Sequence, residues 1–216
     1  MRSDVLQHSA LNGWPLFTLI TALTTVAIGA GLSTTGLSTP QAVIDMIRLS
    51  VQLASPWIFL AFVASPLMQL SRGHPKVSPV AKWFVRNRRY FGLSFAAGFG
   101  WQFVFIVALL TLYPTHYWGE MHKASDLFLR TVSYVVLIAL TVTSFFPVRR
   151  SMRREHWHWL HLFGIWYFWL AIWVSYAEMA ISNQATVIHW VYFDLGLLVL
   201  ALRVLSYVKN LKPARG

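Results

Sequence analysis

Six stretches of the chain are almost wholly apolar, and polar or basic segments separate them. They cover 14–36, 49–70, 90–113, 127–147, 160–181 and 187–208. A helix rises ~1.5 Å per residue, so ~20 apolar residues cross the hydrocarbon of a bilayer. The pattern predicts an all-α integral membrane protein, a six-transmembrane helix bundle over 14–208. A short segment, 1–13, precedes it and a basic tail, 209–216, follows. The first stretch is read as a span and not a cleaved leader, because only Arg2 and Asp4 charge its flank and it is long enough to cross.

Punctuation refines the second span. Pro40 follows Ser38 and Thr39, the signature of a helix start. From Pro40 to Leu70 a helix would measure ~46 Å, more than a bilayer core needs. Residues 40–47 are therefore expected to form an interfacial helix feeding the span. Pro56 is expected to kink it, and Pro66 lies near its cytoplasmic end.

The basic residues orient the bundle. Arg72, Lys76, Lys82, Arg86, Arg88 and Arg89 lie between spans two and three, and Arg149, Arg150, Arg153 and Arg154 between four and five. Arg203, Lys209, Lys212 and Arg215 close the chain and Arg2 opens it, leaving Arg48, Lys123 and Arg130 for the other face. The positive-inside rule then puts both termini and the even-numbered loops in the cytoplasm. The net charge of +11 is thus a topology signal. Nucleic acid drops out as a partner, and anionic membrane lipid takes its place.

Composition agrees. Hydrophobic residues make up 56% and charged residues 12%, against ~25% charged in a soluble domain. The absence of cysteine excludes disulfides, thiolate metal sites and iron–sulfur clusters. No GxGxxG, HExxH or GxSxG motif occurs, so neither an NAD nor a flavin site is expected within the chain.

Few polar residues enter the spans. His158 and His161 are three apart at the cytoplasmic start of span five, so on a helix they share a face. An intramembrane histidine is a functional candidate, and imidazole is a good haem ligand. The blander reading is an interfacial histidine among tryptophans. Asp194, ~10 Å into span six, calls for a partner or a proton, and Arg48 and Arg130 enter from its side. The ladder Gly92, Ala96, Gly100 in span three, to which Ala97 and Gly98 add, reads first as close helix packing and second as room for a flat cofactor. The aromatics of span five, from Trp157 to Tyr176, read as belt anchors and bundle filling.

In order and spacing these pieces resemble the ferric-reductase-like transmembrane family, closest to the haem-binding membrane subunit that serves a periplasmic methionine-sulfoxide reductase. The matching residues are Arg48, Ser65-Pro66-Leu67, Arg88-Arg89-Tyr90-Phe91-Gly92-Leu93, Thr143-Ser144 and Trp157-His158-Trp159-Leu160-His161. They cover roughly 45–180.

The resemblance implies a bacterial inner-membrane electron-transfer component, passing electrons from a cytoplasmic-side donor to an outer-face acceptor through b-type haem. It makes His161 the candidate haem-iron ligand, with His158 the alternative and Arg88 and Arg89 the propionate contacts. The family's other ligand positions carry Gln102 and Val174 here. At most one haem is therefore expected, and the outer one is lost. The alternative is a haem-free membrane partner or assembly protein of the same fold.

Overall fold

The computed structural model describes residue 6 and residues 8–72, 74, 77–120, 124–183 and 185–211. Arg2, Lys76, Lys123, His122, Lys212 and Arg215 lie outside the described residues. Among those described the fold is helical, with no strand. In chain order the helices are α1 (Gly13–Thr35), α2 (Pro40–Leu70), α3 (Ser78–Leu112), α4 (Pro114–Glu120), α5 (Ala124–Thr143), α6 (Phe146–Ser151), α7 (Arg154–Ile181) and α8 (Val187–Leu211).

Five of these, α1, α2, α3, α7 and α8, are long and apolar enough to cross a membrane. Their flanks display large apolar side chains: Val26 on α1 is 69% exposed, and Leu198 and Leu205 on α8 are 55% and 57% exposed. Water would not tolerate such faces on this scale, whereas lipid tails match them. This is the architecture of a helical membrane protein.

The fourth predicted span is shorter than expected. The apolar part of α5 runs over Leu127–Thr143, not to residue 147. Phe145 turns extended (φ −84°, ψ 140°) and Pro147, which has no N–H to offer, opens α6. The second span differs in the opposite sense. Residues 40–47 are not a separate interfacial helix; α2 runs unbroken for 31 residues through Pro56 and Pro66. Likewise α3 starts at Ser78, so Lys82, Arg86, Arg88 and Arg89 stand on a helix and not in a loop.

The chain divides into two compact units. The first comprises Met1–Leu16, Trp57–Gly92 and Ile165–Gly216. Its interior is aromatic. Phe62 stacks on Trp169 (5.1 Å between centroids, 18° between planes), Trp169 on Trp173 (5.5 Å, 8°) and Trp173 on Phe193 (5.7 Å, 13°). The indoles are satisfied as well as packed: Trp169 Nε1 donates to the Gly196 carbonyl and Trp173 Nε1 to that of Phe193. Burying an indole without a partner would cost stability, so these bonds fix the register of α7 on α8. At the other end of the unit the fully buried Asn87 clamps the start of α1. Its Oδ1 accepts from Gly13 N–H (2.9 Å), and its Nδ2 reaches the Leu11 carbonyl and Asn12 Oδ1. Gly13 takes φ +69° there, a turn that glycine makes without a steric penalty.

The second unit comprises Phe17–Pro56 and Leu93–Gly164. Ile28, Val43, Met46, Phe105, Leu109 and Tyr117 form its core. Between α2 and α3 the closest approach marked by a glycine is at Gly98, where an added Cβ would lie 2.6 Å from Ala54 Cβ. Of the small residues expected to pack closely, Gly98 makes that contact, and the steps of four at Gly92 and Gly100 do not. A Cβ at Gly92 or at Gly100 would meet nothing within 4 Å. Glycine here marks packing on one face of α3 and open space on another, which spacing by four could not distinguish.

Asp194 also departs from expectation. It is exposed on α8 in the first unit. Arg48, its expected partner, instead meets Asp45 on its own helix at 3.3 Å, and Gln41 Nε2 donates to the same carboxylate oxygen at 2.9 Å.

Candidate functional site around His161

Two short-range rules put the His161 surroundings together. Trp157 and His161 are four residues apart on α7, so their side chains share a face. Their rings lie 4.4 Å apart between centroids. Arg149, in the last turn of α6, covers the other ring partner, with Cζ 4.4 Å from the Trp157 centroid. The guanidinium rests on the indole as a cation–π pair.

The end of α5 supplies the remaining partners. A helix end leaves its last carbonyls without intrahelical donors. Here the Ser144 N–H serves Leu140 and Thr141, and the Phe145 N–H serves Val142. Thr143 has no such neighbour, because its donor four residues on would be Pro147. The Trp157 indole N–H fills the place, 3.1 Å from the Thr143 carbonyl oxygen. The proline stop thus draws α7 against α5 through one tryptophan.

The same threonine fixes the histidine. Thr143 Oγ1 lies 2.6 Å from the Ala139 carbonyl oxygen and 3.2 Å from His161 Nε2. The short bond directs the hydroxyl toward Ala139, and His161 Nε2 is within hydrogen-bond reach of the same oxygen, with the donor set by the imidazole tautomer. His161 is half-buried. His158 is exposed and lines an open groove of about 560 Å³ with Arg149, Met152, Arg154, Glu155, Trp157 and Trp159. The two histidines share a helix face in register but serve different surroundings.

The other expected site residues are divided between the two units. Gln102, in the second unit, is half-buried and its amide oxygen accepts from Tyr134 Oη at 3.2 Å. Val174, in the first unit, is 39% exposed and aliphatic. Arg88 and Arg89, also in the first unit, diverge. Arg88 donates to Ser65 Oγ at 2.9 Å, whereas Arg89 sits over the rings of Trp14 and Tyr90 at 5.6 and 5.7 Å. Among the described residues no three His, Cys, Asp or Glu side chains form a group able to hold a metal ion. The residues present do not fit a haem held by two axial histidines. Gln102 and Val174 offer no imidazole.

Two residues gain meaning only from the structure. Tyr134 was unremarked in the sequence and holds Gln102. Arg203 was counted with the basic tail, yet it lies inside α8 against Phe62 and Trp166. A signal was available for it: Leu202-Arg203-Val204 is a lone cation within an apolar span. No family model, curated protein or solved structure matches the chain.

Proposed function

We propose that this chain is a haem-free membrane protein of ferric-reductase-like type, acting as the membrane-embedded partner or assembly component of a redox system in a bacterial inner membrane. The observation that carries the reading is the state of the three ligand positions. Gln102 is engaged by Tyr134, Val174 is an exposed aliphatic, and His161 Nε2 is engaged by Thr143 Oγ1. On this reading the bundle is of the family's kind, with interhelical hydrogen bonds at Gln102 and His161. The second reading, a single inner haem on His161, is favoured by one feature: the groove beside Trp157 carries Arg149 and Arg154, cations suited to a carboxylate-bearing ligand.

The test is the visible spectrum of the purified protein, oxidised and dithionite-reduced, from cells supplied with haem. A featureless spectrum from folded, monodisperse protein is the expected result. A Soret band with sharp reduced α and β bands, lost in His161→Ala, would overturn the haem-free reading in favour of the single-haem one.

A further inference from the structure

Within the first unit, two guanidinium groups are anchored one helical turn apart on α2. Arg203 on α8 donates through one terminal nitrogen to the Phe62 carbonyl oxygen at 3.1 Å. Arg88 on α3 donates in the same way to Ser65 Oγ at 2.9 Å. Phe62 and Ser65 are three residues apart, so they lie on one face of α2, ~4.5 Å apart along its axis.

The Phe62 carbonyl is available for a reason written in the sequence. Its helical donor would be the N–H of residue 66, which is proline. Arg203 answers that vacancy, and its guanidinium carbon sits 4.3 Å from the Phe62 ring and 4.8 Å from the Trp166 ring. The aromatic walls hold the fork in one orientation.

Local geometry accounts for one N–H of each arginine and leaves the charge uncompensated. Arg88 lies near enough to Arg203 for the two cations to repel. Among the described side chains of this unit the carboxylates are Glu178 and Asp194. Asp194 precedes Arg203 by ~14 Å of helix, and Glu178 lies ~18 Å along α7 from Trp166. Neither neutralises the pair. A paired, half-buried positive charge in an apolar bundle favours an anion.

Depth indicates which kind. Arg203 is ~12 Å from the C-terminal end of α8, Ser65 ~7 Å from the end of α2, and Arg88 ~15 Å from the start of α3. These ends carry Lys82, Arg86 and Lys209, and Lys209 Nζ itself donates to the Leu70 carbonyl. The arginines therefore sit just below a basic rim, where the phosphates of a leaflet lie.

We propose that Arg88 and Arg203 form a binding site for a phosphate group, supplied by an anionic phospholipid headgroup or by free phosphate. Each fork has donors left over, and guanidinium–phosphate pairing is bidentate, so two forks about a helical turn apart can grip one phosphate from two sides. The inference is independent of the haem question, because none of its residues belongs to the His161 surroundings.

The experiment uses the full chain in a neutral detergent. Melting temperature is followed against phosphatidylglycerol, phosphatidylcholine and inorganic phosphate at matched ionic strength, and native mass spectrometry counts retained lipid. If the source is lipid, phosphatidylglycerol gives a saturable rise and one retained molecule, and phosphatidylcholine gives neither. If the source is the free ion, millimolar phosphate gives the saturable rise and chloride does not. In either case Arg88→Gln, which keeps a donor for Ser65, weakens the half-saturating concentration roughly tenfold, while Arg88→Lys falls between. Equal response to both lipids together with none to phosphate overturns the proposal, as does an unchanged titration in Arg88→Gln. Should Arg88→Gln prove unstable, the selectivity of the unaltered protein and the Arg88→Lys titration decide the matter alone.

Discussion

Replacing Gly98 by alanine places a methyl carbon 2.6 Å from Ala54 Cβ and 3.2 Å from its Cα. Carbon atoms rest about 3.5–4.0 Å apart, so α2 and α3 must separate by about 1 Å. Ala54 is fully buried and has no side-chain end to swing aside, so the backbone has to move. Overpacking of this kind costs about 1–3 kcal/mol. Alanine in a helix returns up to about 1 kcal/mol relative to glycine, leaving a net loss of up to about 2 kcal/mol. Gly100, two residues on, is the internal control: its Cβ would meet nothing within 4 Å. There only the gain from alanine operates, about 0.4–1 kcal/mol. Thermal melting of the two variants in one detergent should therefore move in opposite directions, with a gap of about 4–8 °C between them. If Gly98→Ala melts with or above the unaltered protein, the close contact of α2 and α3 is not where the structure puts it.

Other outcomes follow from the two carbonyls that prolines leave open. Arg203→Gln should lower stability by about 1–3 kcal/mol by weakening the cap on Phe62. Pro66→Ala, which supplies a helical N–H to the same oxygen, should shrink that cost, and additive losses in the double variant would refute the pairing. Trp157→Phe keeps the ring beside His161 but removes the indole donor, so the Thr143 carbonyl loses its partner at a cost of about 1–3 kcal/mol. An unchanged melting temperature for Trp157→Phe would show that this bond does not hold α7 against α5.

Much of the membrane architecture was legible along the chain because it depends on one-dimensional properties. Apolar run length fixed where the long helices lie. The third apolar run ends at a proline, and α3 stops at Leu112 with α4 opening on Pro114. The edges were less legible. The interfacial piece at 40–47 and the extension of the fourth span to 147 both failed. Local propensity joins 40–47 to α2, while an extended Phe145 before Pro147 ends the chain's run at Thr143.

What surrounds each side chain was decided in three dimensions. Spacing by four put Gly92, Ala96 and Gly100 on one face, but only the packed helices show that Gly98 carries the contact with Ala54. Helical periodicity paired His158 with His161, yet the carbonyls and hydroxyls at the end of α5 determine that one faces Thr143 and the other an open groove. Arg203 read as part of a basic tail until α2, freed of a hydrogen bond by Pro66, offered it a carbonyl between two aromatic rings. Sequence determines which residues are costly to bury in a membrane; only the fold determines which neighbours meet that cost, because the partners come from other helices, 18 residues away along the chain for His161 and Thr143 and 141 for Arg203 and Phe62.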